Sequence, residues 1–155
     1  MSRRADLTLL HPQFARTLHA VLDELADARI PLQVFESIRS PSRQEELYRR
    51  GRDPHAADWG RTVTKAHAYA SAHQYGLAVD LVFHIGGKWT WEPPPGKAGW
   101  WGAYHAIARE HGLVPLSFEM PHIQAKAFDP KVLDRGPDDD AGWLAWLKAR
   151  HAAVG

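Results

Sequence analysis

Cysteine is absent from the 155-residue chain. That excludes disulfide frameworks, thiol catalysis and thiolate metal sites, and leaves His, Asp and Glu as the candidate metal ligands. An excess of charge is missing too: 19 Lys and Arg against 18 Asp and Glu leave a net charge of +1. Such balance gives no argument for nucleic acid, a membrane surface or a polyanionic partner, so function has to come from a site rather than a field. Long apolar runs are also lacking. After Met1-Ser-Arg-Arg-Ala-Asp the only apolar stretch near the start is residues 7–10, far short of a signal peptide or a membrane helix. The expectation is a chain made in the cytoplasm without a secretory signal of its own and not inserted into membrane. What remains, 45% hydrophobic and 24% charged residues with ten histidines, fits one small globular domain over residues 1–155.

Hydrophobic spacing organises the chain. Phe14, Leu18, Val21, Leu22 and Leu25 recur at helical spacing and predict an amphipathic helix over residues 12–29. Residues 30–38 are β-rich and predict a strand ending at Arg39. Ser40-Pro41 then combines an N-cap hydroxyl with proline at the first helical position, so a second helix follows, running to Gly51. Residues 52–70 are polar and without period. A loop of that length usually serves a site, and because it runs straight into Ser71 and His73 it is expected to border the cleft. Residues 77–83 form an almost continuous apolar run that suits a strand buried on both faces, with Asp80 in its middle. Gly86-Gly87 leads into a hairpin partner at residues 88–91. A helix over 99–111, short strands between 113 and 124, and a last helix over 141–148 complete an α+β pattern of helices flanking a small, mostly antiparallel sheet.

A carboxylate inside an apolar strand costs several kcal/mol unless a cation or dense hydrogen bonding compensates it, so Asp80 needs partners. Taken alone, an Asp capped by backbone amides or paired with an arginine is as good a reading as a functional carboxylate. His73 lies seven residues earlier, just before the turn that enters the strand, and His122 follows Pro121 in a second β-like segment. Two imidazoles and one carboxylate suit zinc, and three protein ligands leave a fourth position open for water. Zinc lowers the pKa of such a water to about 7. Glu119, three residues before His122, is then the natural general base, its alternative being an exposed strand-end carboxylate.

The stretch Ser71-Ala-His-Gln-Tyr-Gly-Leu-Ala-Val-Asp80 resembles the Ser-x-His-x-x-Gly-x-Ala-x-Asp motif of zinc D-alanyl-D-alanine carboxypeptidases, D-Ala-D-Ala dipeptidases and phage L-alanyl-D-glutamate endopeptidases. Every fixed position matches. Glu119-Met-Pro-His122 is similar to that family's acidic-x-x-His element, and Ser37-Ile-Arg-Ser-Pro-Ser-Arg-Gln44 resembles its third motif, a strand end followed by a helix containing Gln. Together the blocks span residues 32–124. The resemblance implies a hedgehog/DD-peptidase-like fold and one zinc ion held by His73, Asp80 and His122, with Glu119 as base. It implies that Arg39 holds and polarises the substrate carbonyl or carboxylate, where the residues alone suggest a surface ion pair with Glu36 or Glu46. It implies that Ser71 contacts substrate, and that Gln44 does so or orients its neighbours. Ile38 stands where the family often has an aromatic residue, and the Trp-Gly-Gly segment usual in endolysins before the last histidine is missing.

The implied activity is hydrolysis of peptidoglycan stem peptides. A small chain with neither signal peptide nor wall-binding repeat favours an L-alanyl-D-glutamate endopeptidase acting as a phage or prophage endolysin. It would be a monomer, released through a holin-type lesion or secretion machinery. The alternatives are a D-Ala-D-Ala dipeptidase or carboxypeptidase and a non-catalytic hedgehog-like zinc module, the last disfavoured by the presence of Glu119 and Arg39. His11, His19, His105, His111 and His151 are expected at the surface, His67 and His84 are candidates to support the ligands, and Trp89, Trp91, Trp100 and Trp101 either line a cleft or pack in the core.

Overall fold

The computed structural model describes residues 2–154. Four α-helices, α1 (Pro12–Asp27), α2 (Pro41–Arg49), α3 (Gly99–Glu110) and α4 (Asp140–Ala152), surround five strands, β1 (Leu32–Glu36), β2 (Ala78–Ile85), β3 (Lys88–Thr90), β4 (Leu113–Leu116) and β5 (Glu119–Ala125). The strand order is β1-β2-β5-β4, with β3 also on β2, and every pairing is antiparallel. The architecture is the α+β arrangement expected. Among the described residues no helix is long and apolar enough to cross a membrane.

Local chemistry explains the elements. Phe14, Leu18, Val21 and Leu25 of α1 are the buried stripe. In α2 the Ser40 hydroxyl accepts from the Arg43 amide, with Pro41 opening the helix. Several boundaries differ from expectation: β1 is shorter than residues 30–38 and β2 runs on to Ile85. α1 stops at Asp27, because the Ala28 and Arg29 amides turn back to Glu24 and Ala26 and Arg29 takes a left-handed φ of 56°. α4 is longer at both ends than residues 141–148, because the Asp139 carboxylate caps it at the Gly142 amide and Trp143, Leu147 and His151 bury one face through to its last turn.

Register is what builds the site. On β2, Val79, Leu81 and Phe83 enter the main core cluster with α1 and α3, which turns Asp80 to the opposite face. Asp80 lies opposite His122 of β5 on one side and Glu36 of β1 on the other. The second pairing depends on a bulge, since the register jumps between Val34 and Glu36 and leaves Phe35 as the extra residue. Glu36, Asp80 and His122 therefore form a row across three strands.

Candidate metal centre

His73 is delivered by a short 3-10 turn, Ala72–Tyr75. The Ser71 hydroxyl starts the turn by accepting from the His73 amide at 3.3 Å, and Gly76 ends it with a left-handed φ of 67°. A Cβ at Gly76 would come within 2.7 Å of His151 Cε1, so both the backbone conformation and the space demand glycine there. The Nδ1–H of His73 donates to the Ser37 carbonyl at 2.6 Å. A carbonyl only accepts, so the proton stays on Nδ1 and Nε2 carries a lone pair. Among the described residues, that Nε2 is the one buried side-chain N or O atom without a hydrogen-bond partner.

His122 is set in the same way from β5. Its Nε2 pairs with Gln124 Oε1 at 2.8 Å, which leaves Nδ1 facing Asp80 Oδ1 at 3.1 Å. His73 Nε2 lies 3.4 Å from the same oxygen. Ligand atoms of His73, Asp80 and His122 thus converge within 4.8 Å of one another. Two imidazole lone pairs aimed at a carboxylate oxygen repel unless a cation or a proton lies among them, and the donor set N, N, O fits a divalent metal. The residues present therefore fit a divalent metal ion.

The electrostatics follow the geometry. Burial opposes ionisation of Asp80, but the neighbouring His73 and His122 imidazoles and the Arg39 guanidinium hold its carboxyl well below the usual range. Burial and Arg39 push the His73 imidazole down. Burial acts on His122 in the same sense, yet the hydrogen bond and charge of Asp80 lift it. Glu119 lies beside this group, its Oε2 3.8 Å from His122 Nδ1, and burial, with Asp80 adding, raises its carboxyl against the pull of His122.

Arg39 is buried and heavily bonded, not the surface ion pair that its neighbours in sequence suggest. Nε donates to Glu36 at 2.5 Å, Nη1 to Gln44 and Nη2 to Asp80, both at 3.0 Å. Glu36, only 2% exposed, also takes Arg43. Gln44 corrects the expectation of a substrate contact. It is 0% exposed and its amide is consumed by Arg39, Gln74 and the Ala66 carbonyl, so it orients Arg39 from behind. Sequence reasoning paired Glu36 with Arg39 but placed the pair at the surface, and it missed Gln74 and Gln124. Only Gln124 had a readable signal, because two residues along a strand from His122 is the same face.

The site floors an open cleft of about 1110 Å³ lined by Arg39, His73, Asp80, Glu119 and His122, with Ser71 beside them. Residues 63–66 and 70 of the long loop form one wall, as expected, and Phe35, Trp91, Phe118 and Met120 stand on the others. Trp101 lines the cleft as well, while Trp89 packs on Phe35 and Trp100 on Phe83. His67 and His84 do not support the ligands: His67 meets Glu45 and stacks on Tyr48, and His84 stacks on Trp89. His105 and His151 are buried rather than at the surface, each held by a backbone carbonyl, that of Met120 and that of Tyr75.

A family model for VanY, D-alanyl-D-alanine carboxypeptidase, matches residues 7–90, which contain Arg39, Ser71, His73 and Asp80. The peptidoglycan L-alanyl-D-glutamate endopeptidase CwlK of Bacillus subtilis (strain 168) is 37% identical over 72 residues, 46% of this chain and 41% of that protein. The chain thus matches less than half the length of this relative. Among solved structures, the LdcB LD-carboxypeptidase superposes with a TM-score of 0.56 at 19% identity, covering 90% of this chain and 68% of that one, a likeness of fold. The Serratia marcescens L-Ala D-Glu endopeptidase ChiX gives a TM-score of 0.49 at 26% identity, covering 77% and 83%.

Proposed function

This chain belongs to the VanY family of D-alanyl-D-alanine carboxypeptidases, and from that premise we propose that it is a zinc-dependent peptidase of peptidoglycan stem peptides. Residues 1–155 act as one catalytic domain that cuts the L-Ala to D-Glu bond. The observation that carries this reading is the bare, buried Nε2 of His73 aimed at Asp80, with His122 Nδ1 converging on the same oxygen and Glu119 alongside. His73, Asp80 and His122 hold the ion. When bound, the ion supplies Lewis acidity, acidifying a water and polarising a carbonyl oxygen.

The protein's own groups do the rest. Glu119, lifted by its surroundings, takes a proton from the attacking water and returns it to the departing amine nitrogen. Arg39 steadies Asp80 through Nη2. Of the five N–H donors of a guanidinium it spends three on Glu36, Gln44 and Asp80, and the others remain for the oxygen on which charge develops. Ser71 contacts the substrate beside His73.

Two outcomes separate the bond cut. Mass spectrometry of digested peptidoglycan yields fragments with a new N-terminal D-Glu from an endopeptidase, and free D-Ala from a carboxypeptidase, the second reading that the family's description favours. Glu119→Ala should retain zinc and lose hydrolysis by about 10²–10⁴-fold. Wild-type protein that binds zinc and cleaves neither peptidoglycan nor D-Ala-D-Ala would leave the hedgehog-like binding module instead. As an endolysin the protein would reach the wall through a membrane lesion or secretion machinery. Cells making it would then lyse only when the inner membrane is opened.

A further inference from the structure

Four cationic side chains line the cleft, Arg39, Arg43, Arg50 and Lys65. Three are already committed. Arg39 serves Glu36, Gln44 and Asp80. Arg43 pairs with Glu36 and Glu46, and Arg50 with Glu46. Lys65 has no ion-pair partner among the described residues. Its ammonium lies 5.0 Å from the centre of the Phe118 ring, and Phe118 immediately precedes Glu119 in the chain.

That contact joins the long loop to the β4–β5 turn. An ammonium over a ring face is steered by the ring's quadrupole without being neutralised, so Lys65 keeps its charge available. With a bound ion and Arg39 offsetting Asp80, the Glu119 carboxylate would remain to repel an acidic substrate group approaching the same floor. A free cation at the wall offsets this and gives the site a preference it could not draw from the committed arginines.

We propose that Lys65 is a specificity-determining residue that pairs with a carboxylate on the substrate residue next to the scissile bond, an inference that rests on the peptidase reading above. That carboxylate has two sources. In an endopeptidase substrate it is the free α-carboxylate of a γ-linked D-Glu, and in a carboxypeptidase substrate it is the chain's C-terminal carboxylate.

The test is calorimetry on the zinc-loaded Glu119→Gln protein, which does not turn substrate over. Three ligands are compared: L-Ala-γ-D-Glu-L-Lys-D-Ala-D-Ala, the same peptide with the D-Glu α-carboxylate amidated, and the same peptide with its C-terminus amidated. Adding Lys65→Met should weaken binding of the parent peptide about tenfold, the scale of a charge-assisted hydrogen bond. Lys65→Arg should restore it. Amidating the carboxylate that meets Lys65 should cost the same factor and abolish the dependence on residue 65. Which of the two amides does so identifies the source.

Equal affinities for Lys65→Met and its parent, equal losses across all three ligands, or no binding of the parent peptide would each overturn the proposal. Peptidoglycan hydrolysis by the wild-type protein is followed separately. Hydrolysis without the residue-65 pattern removes only this inference, whereas the pattern without hydrolysis removes the peptidase reading and leaves Lys65 as a ligand contact of a binding module.

Discussion

Gln124 does for His122 what the Ser37 carbonyl does for His73: each engages the ring nitrogen that points away from Asp80. Partners of this kind fix the tautomer and the ring plane of a ligand, and their loss typically costs 10–100-fold in metal affinity. Gln124→Leu should therefore weaken zinc binding by about that factor, measured by competition with a chromogenic chelator, while Gln124→Glu should largely preserve it. Arg39 behaves differently, because its main debt is to stability. Arg39→Ala would strand Glu36, which is 2% exposed, and a buried charge that loses its partner costs about 3–5 kcal/mol. Arg43 still reaches Glu36, so urea unfolding should give a value toward the lower end. A loss well under 1 kcal/mol would mean that the Glu36–Arg39–Asp80 chain is not what holds the two strands in register.

At the scale of elements, α4 acts as a clamp on the turn that carries His73. Trp143 Nε1 donates to the Gln74 carbonyl at 2.9 Å, and His151 Nε2 donates to the Tyr75 carbonyl at 3.1 Å. His151 also meets His11 edge-on, with ring centroids 5.5 Å apart. Burial is the first cause that pushes both imidazoles below the ordinary value of 6.5. The sign follows from linkage: a folded state that resists protonation is favoured above the unfolded pKa and loses ground as pH falls through 6.5 towards the folded values. Acidification from pH 7.5 to 5 should accordingly lower the melting temperature, and His151→Gln should flatten the part of that slope due to the clamp, leaving the shares of His73 and His122. A variant with an unchanged slope would show that the His11–His151 contact carries no linkage. None of this was legible in the sequence, where both histidines read as surface groups, because a helix periodicity says which face is buried and not which carbonyl lies beneath it.

Over the whole molecule, the three proposed ligands come from the turn before β2, from β2 itself and from β5, so an ion among them would tie together segments 42 residues apart. Binding to the folded state alone should stabilise the protein by about 4 kcal/mol at a free zinc concentration of 1,000 Kd. Chelation should lower the melting temperature reversibly, and His73→Ala or Asp80→Asn should remove the shift while the metal-free proteins still melt cooperatively. A chelator-insensitive melt in the wild-type protein would contradict a resident ion. The near-zero net charge of +1 gives no long-range field, so the selection proposed for Lys65 would act locally.

The sequence by itself determined the element types and the α+β class, and it marked Ser71, His73, Asp80, Glu119 and His122 as a candidate site, because helix and strand periods, caps and a ten-residue motif are local properties of the chain. It also marked residues 52–70 as bordering the cleft, from their length and where they lead. Only the tertiary structure decided what faces what. The bulge at Phe35 brings Glu36 opposite Asp80. Arg39 is thereby drawn inward to bridge those two carboxylates, Gln44 sits behind it away from the cleft, and among the described residues Lys65 is the cleft-lining cation without an ion pair. Those outcomes turn on pairings between residues dozens of positions apart, where a shift of one residue in register exchanges the two faces of a strand.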